Sequence, residues 1–194
     1  MDNKFKLLVS EFGEERIKFN EPLKFHTATK LGGPAECFFI ATSTKELEKI
    51  LNSAYELKIP FFIFGGGTKV LISDEGIKGL VIKNRTSGIK IGGIKGKVGR
   101  AGIGVEEATL EVDSGVSVGY LNEFLDKQNL KKIDIFNSPL STIGGSLFLD
   151  SYLQEACQKV KIWENGEIME VEVIDLKKDQ HVIMSAAIKV RSKV

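Results

Sequence analysis

Histidine and cysteine are almost missing from this 194-residue chain, with two of each. The four positions, His26, His181, Cys37 and Cys157, lie far apart in the sequence. A structural zinc site draws about four such ligands from closely spaced motifs, so metal chemistry built on Cys and His is excluded. A disulfide framework needs more cysteines than this, and both sit in apolar surroundings, as expected for buried free thiols of a reducing cytoplasm. Long apolar runs are also absent: nothing approaches the ~20 residues that span a bilayer. The opening MDNKFKLLVSEFGEERIKF carries a charge every few residues and has no apolar core of signal-peptide length, so a cytoplasmic location is expected. Charge of one sign is lacking too, with 27 Lys and Arg against 26 Asp and Glu, a net +1. Such a chain has no field to gather nucleic acid or an anionic membrane, and neither is expected as a partner. Its many lysines, interleaved with acids, read as a solvated mixed surface.

What is present is an ordinary globular composition, 42% hydrophobic and 27% charged, long enough for one large domain or two small ones. Residues 3–19 have the spacing of an amphipathic helix through Phe5, Leu8, Val9, Phe12 and Ile17. Residues 36–42 read as a strand. Ser43 and Glu46 form a capping-box signal ahead of a helical stripe at Leu47, Ile50, Leu51, Ala54 and Leu57. Residues 61–64, all apolar, have the character of a central strand buried on both faces, and 80–83 of another strand. This first part is β-α-β-loop-β, an α/β arrangement. Beyond it, the Gly- and Lys-rich stretch 86–104 predicts short strands joined by turns. The basic positions 90–100 within it read as a solvated loop rather than an anion site. Residues 109–113 predict a strand, Ser117 a helix cap with Val118, Leu121, Phe124 and Leu125 inward, and Asn165 with Gly166 a type I′ hairpin between 159–163 and 168–173. Trp163, just before that turn, reads as packing. Residues 181–190 give a last strand. The overall fold class is α+β, with subdomains at 1–84 and 85–194.

The most informative segment follows the apolar run: Phe64, then Gly65, Gly66, Gly67, Thr68, Lys69, Val70, Leu71, Ile72, Ser73 and Asp74. Three glycines after a buried strand let the backbone take positive φ and turn its N–H groups into a concave nest that suits a pyrophosphate. Thr68 and Lys69 add a hydroxyl and a cation. A Gly-x-Gly-x-x-Gly fingerprint needs a sixth-position glycine where Val70 stands, and no Gly-Lys-Ser/Thr loop occurs, so two common nucleotide motifs are excluded.

The glycine run stands in company. The stretch from His26 to Glu36 (HTATKLGGPAE), followed by FGGGTKVLISDEGIKGLVIK over 64–83, resembles the FAD-binding part of the UDP-N-acetylenolpyruvoylglucosamine reductase (MurB-type) family. That family typically shows His-Thr-Thr-Phe-Arg-Ile-Gly-Gly-Pro-Ala-Asp and then Leu-Gly-x-Gly-Ser-Asn-Leu-Leu-x-x-Asp-x-Gly. Order and spacing agree, and Thr142, Ile143, Gly144, Gly145 and Ser146 resemble its Thr-Val-Gly-Gly-Ala. The resemblance covers roughly residues 20–190. It implies a two-subdomain FAD-binding fold of the MurB/vanillyl-alcohol-oxidase (PCMH) type. It places the pyrophosphate on Gly65, Gly66, Gly67, Thr68, Lys69 and Val70, with Asp74 or its neighbours ordering the loop. Ser141, Thr142, Gly144 and Gly145 then line the ribityl and isoalloxazine. His26 falls in the family's structural His-Thr segment.

The same comparison implies that the family's catalytic groups have no counterpart. Its Tyr-Arg-x-Ser segment falls between Ile174 and His181, where neither Tyr nor Arg occurs, and its third-domain serine motif lies beyond Val194. Pro139, Leu140, Ser141 and Thr142 stand where the family has Ile-Pro-Gly-Thr. Asp150, Ser151 and Tyr152 replace Asn-Ala-Gly, which puts bulk and an acid where the family keeps small residues against the flavin. No catalytic residue is assigned. His181 reads as a surface or edge histidine. Three functions stay open: a flavin-binding module without the reductase activity, a reductase using NADPH and completed by a partner subunit, or a scaffold without flavin. A homo-oligomer or a partner replacing the missing domain is compatible with each.

Overall fold

The computed structural model describes residues 3–99, 102–133, 138–178 and 180–193. The chain divides into two compact units, Met1–Thr86 and Ser87–Val194.

The first unit opens with helix α1, Asn3–Phe12, which buries Phe5 and Leu8. The helical spacing runs on to Ile17, but the helix does not. Gly13 takes φ 91 and its N–H donates to Val9 O at 2.8 Å, a left-handed C-terminal cap that a glycine adopts without a Cβ clash. Ile17 is buried all the same, at the end of a turn in which its N–H donates to Gly13 O at 3.3 Å, just before strand β1, Lys18–Pro22. A single 3-10 turn, Leu23–Phe25, follows, then β2, Pro34–Ala41, helix α2, Thr44–Glu56, and strands β3, Phe61–Phe64, and β4, Ile77–Asn84. The sheet order is β1-β2-β4-β3, with β2, β4 and β3 mutually parallel and β1 antiparallel to β2.

Strand β3 is therefore an edge strand and not the central one its composition predicts. Its apolarity comes from packing: Phe62 and Phe64 join Leu23, Phe38, Ile72 and Val81 in one cluster. The central places go to β2 and β4, whose runs from Cys37 to Phe39 and from Leu80 to Ile82 are wholly buried. Phe39 on β2 meets Phe12 of α1 edge-on at 5.2 Å. Cys37 and Cys157 are both buried free thiols, and desolvation pushes them up to about 12 and about 11.

Ser43 caps the helix as the motif predicts, but the Glu46 side chain reaches back to Thr42, one residue before the cap, and not to the Ser43 N–H. Glu46 N–H donates to Ser43 Oγ at 3.2 Å, while Glu46 Oε2 accepts from Thr42 N at 2.8 Å and Thr42 Oγ1 at 2.7 Å. Its other oxygen accepts from Arg16 at 2.8 Å, and Arg16 also donates to Ile40 O and lies over the Phe39 ring. The Arg16 hydrogen bond, helped by those from Thr42, holds the Glu46 carboxyl at about 2 instead of its ordinary 4.5. A depressed folded-state pKa gives stability that is present above the unfolded value and lost as pH falls through the folded one. Urea unfolding across a pH series is thus expected to show stability declining from about 4.5 toward about 2. Glu46→Gln should lack that segment of the profile and cost about 1–2 kcal/mol near neutrality.

The second unit holds a five-stranded antiparallel sheet, built from β5, Ile89–Gly99; β6, Gly102–Asp113; β7, Cys157–Glu164; β8, Glu167–Val171; and β9, Val182–Arg191. Its order is β5-β6-β9-β7-β8. The stretch predicted as short strands and turns, including its basic residues, is one long hairpin. Its glycines do not break it because they are absorbed as irregularities: the register shifts between Ile91 and Gly93 and again between Lys95 and Gly96. Arg100, at the end of that basic run, lies outside the described residues. Helices α3, Val118–Lys127, α4, Ile143–Leu147, and α5, Ser151–Ala156, cover one face. Val118, Leu121, Leu125, Ile143, Leu147 and Leu153 pack there on Leu110, Val112, Val160, Ile162, Ala186 and Ile188. Ser117 caps α3, accepting from Tyr120 N at 3.2 Å. Asn165 and Gly166 take φ 51 and 92, the two left-handed residues of a type I′ turn. Trp163 is buried. His181 is buried too, contrary to the surface reading: Lys177 N–H donates to its Nδ1 at 3.2 Å and Glu164 lies 3.8 Å from Nε2, so the residue closes a loop onto β9.

The candidate dinucleotide site

Ligands of parallel sheets bind beyond the carboxyl ends of the strands. In the first unit the glycine loop, residues 65–76, leaves the carboxyl end of β3, and the segment after β1, residues 23–33, lies against it. Glycines mark the contacts. Gly67 takes φ 67 and is buried; a Cβ there would stand 2.6 Å from His26 O and 2.9 Å from Thr27 Cα, and Gly67 O accepts from Ala28 N at 2.9 Å. At Gly33 a Cβ would meet Asp74 O at 2.1 Å, and at Gly76 it would meet Pro34 O at 1.9 Å. Ser73, the neighbour of Asp74, ties the loop: its carbonyl accepts from Gly33 N at 2.9 Å and Gly76 N at 3.0 Å, and its hydroxyl from Glu75 N at 3.2 Å.

Those bonds leave the glycine amides themselves uncommitted. Among the described residues no acceptor meets the N–H groups of Gly65, Gly66 or Gly67. Buried or half-buried amides normally find a partner, so three in a row at the end of a parallel strand form a ready anion site. Thr68 is half-buried and Lys69 exposed, whereas the Val70 side chain packs toward the Phe38 cluster, which leaves its backbone for any ligand.

His26 has the structural place that the motif implies. Its Nε2 lies 2.8 Å from Glu21 Oε1, its ring stacks on Phe38 at 4.5 Å, and its carbonyl accepts from Lys83 Nζ at 3.2 Å. Lys83 carried no role in the sequence reading. The signal was its place at the end of the strand that runs beside Phe64, which only the register Phe64↔Lys83 reveals.

In the second unit Ser141, Thr142, Gly144 and Gly145 lie together at the start of α4. Several of their backbone groups hold the fold. Ser141 N donates to Ser138 O at 2.8 Å, Ser141 O accepts from Val118 N at 2.8 Å, and Gly144 N donates to Ser114 O at 2.8 Å. A Cβ on Gly144 would come within 2.9 Å of Ser114 Cβ, while one on Gly145 would meet only Thr142 Oγ1 at 3.5 Å. Gly145 is the member of the pair with room beside it. Leu140 and Tyr152, the bulky replacements, are exposed at 63% and 60%. Asp150 caps α5, its Oδ1 accepting from Leu153 N at 3.1 Å, so that carboxylate is committed to a helix end. Among the described residues no cluster of His, Cys, Asp and Glu is fit to hold a metal, and no helix is long and apolar enough to cross a membrane.

Unpartnered amides on a glycine-only turn fit a diphosphate, and small residues at 144–145 fit a flat ring. The sequence profile of the FAD binding domain family matches residues 35–152, more than half of the chain. The chain belongs to the FAD binding domain family. Its cofactor is FAD, and it is MurB-like. It is 27% identical over 197 residues to UDP-N-acetylenolpyruvoylglucosamine reductase of Clostridium tetani, covering 94% of this chain and 60% of the relative. The reductase of Rubrobacter xylanophilus is 32% identical over 136 residues, which is 69% of this chain and 41% of that one. The chain spans about half the length of the curated relatives it matches. Among solved structures, the reductase of Thermus caldophilus aligns with TM-score 0.66 at 16% identity, over 92% of this chain and 62% of that one. A grass pollen allergen with glucose dehydrogenase activity aligns with TM-score 0.72 at 13% identity, over 98% and 44%. These structural likenesses establish the α+β, PCMH-type fold of the FAD binding domain.

Proposed function

We propose that Gly65, Gly66, Gly67, Thr68 and Lys69, with the backbone of Val70, hold the FAD diphosphate, and that Ser141, Thr142, Gly144 and Gly145 contact the flavin end. The observation that carries this reading is the row of three glycine amides without an acceptor among the described residues. Bound FAD supplies hydride-transfer chemistry, and the chain's own part is to bind and orient it. The module lacks full reductase activity on an enolpyruvyl-UDP-sugar: no Tyr-Arg pair occurs between Ile174 and His181, the segment that resembles the family's substrate-stabilising stretch. Oriented donors at developing charge are worth several kcal/mol of barrier, and their loss leaves a flavin carrier rather than a competent catalyst.

Purified protein, or protein incubated with FAD and desalted, is expected to show the flavin absorption bands at about one equivalent per chain. Colourless protein that takes up no FAD overturns the reading. With enolpyruvyl-UDP-N-acetylglucosamine and NADPH, the holoprotein alone is expected to oxidise no NADPH above background. Turnover would instead support the reductase named by its relatives.

A further inference from the structure

We infer that Lys83 is a diphosphate-facing cation of the glycine turn, a role that rests on the FAD reading above. Lys83 lies at the carboxyl end of β4, next to Phe64 across the parallel pair, and Phe64 immediately precedes the glycines. Its Nζ lies 5.8 Å from the centre of the Phe64 ring and donates to His26 O at 3.2 Å. That carbonyl is the atom against which Gly67 is pressed, since a Cβ on Gly67 would reach it at 2.6 Å. The ammonium and the turn thus share one carbonyl.

The electrostatics of this position are unusual. Lys83 is half-buried, yet among the described residues no carboxylate pairs with it. A partly desolvated cation without a counter-charge is costly in isolation. Its register neighbours on β2 and β3 are Ile40 and Phe64, both apolar. Arg85, two residues along the same strand, is a second cation. Glu21, which His26 engages at 2.8 Å, is also held by Lys18 at 3.9 Å. Burial, reinforced by Arg85, pushes the Lys83 ammonium toward losing its proton. An arriving diphosphate reverses all of this, because it brings the missing negative charge to the end of the sheet where the glycine amides stand without acceptors.

The test compares wild-type protein with Lys83→Met and Lys83→Arg. FAD titrations followed by flavin fluorescence at several salt concentrations are paired with urea unfolding of the FAD-free proteins. K83M is expected to bind FAD about 10- to 100-fold more weakly and with a shallower salt dependence, and K83R to recover most of the affinity. The FAD-free stability of K83M should match or exceed wild type, since a half-buried unpaired charge is removed. Wild-type affinity in K83M overturns the inference. So does weaker binding with an unchanged salt dependence and a destabilised FAD-free protein, which would make Lys83 a strut for the His26 carbonyl. Wild-type protein that binds no FAD defeats the underlying reading instead, and the two failures are distinct.

Discussion

Gly67→Ala is expected to destabilise the protein by about 3 kcal/mol and to weaken FAD binding at least about tenfold. Two costs add. Left-handed backbone costs an L-residue about 1–2 kcal/mol, and Gly67 sits at φ 67. The new methyl would also lie 2.6 Å from His26 O and 2.9 Å from Thr27 Cα, both backbone atoms of a segment fixed elsewhere. Ala28 N donates to Gly67 O, and Thr27 Oγ1 donates to Leu31 O at 2.8 Å, so that segment yields only by losing hydrogen bonds. If the turn shifts instead, the amides of Gly65, Gly66 and Gly67 lose their common aim and the anion site goes with them. Lys78→Ala is the control: an exposed side chain outside the turn, its loss should change stability by less than about 0.5 kcal/mol and leave FAD binding unchanged. Urea unfolding followed by circular dichroism and FAD titration check both variants. An unchanged unfolding midpoint in Gly67→Ala would mean that the turn relaxes freely and shapes nothing.

Why the sequence revealed this turn so well follows from the same contacts. Gly33, Gly67 and Gly76 are places where backbone meets backbone, and only glycine fits a position with another chain segment under 3 Å from its would-be Cβ. Such requirements leave an imprint in the sequence as fixed letters at fixed spacing. The helix cap at Ser43 and Glu46, the Asn165 and Gly166 turn and the α3 cap at Ser117 are local in the same sense and were legible for the same reason. What stayed hidden was non-local. The apolar run 61–64 does not say whether a strand is central or at an edge, because packing from above and below looks alike in composition; strand order decided it. The helical period past Gly13 was an accident of Ile17 being buried from the turn before β1. The long β5–β6 hairpin was obscured because bulge glycines and turn glycines are the same residue. His181 became a buried residue through contacts with Lys177 and Glu164, and Lys83 gained its place only through register with Phe64.

The glycine pair in the second unit separates architecture from binding, and the two members are expected to respond with opposite signs. Gly144→Ala puts a methyl 2.9 Å from Ser114 Cβ and 3.2 Å from Ser114 O, at a residue whose own N–H is held by that carbonyl. Overpacking of this kind costs about 1–3 kcal/mol. Gly145→Ala meets only Thr142 Oγ1, at an ordinary 3.5 Å, and sits inside α4, where alanine is favoured over glycine by up to about 1 kcal/mol. Its urea midpoint should therefore stay level or rise. If Gly145 contacts the flavin, the added methyl intrudes on the ligand and nothing else. The more stable variant is then the poorer binder, with FAD affinity reduced about 10-fold or more. A purely architectural role cannot produce that crossing, since a helix that gains stability has no reason to release its cofactor. Gly145→Ala with raised stability and wild-type FAD affinity would remove α4 from the flavin site and leave the glycine turn at 65–67 as the part of the chain that holds the dinucleotide.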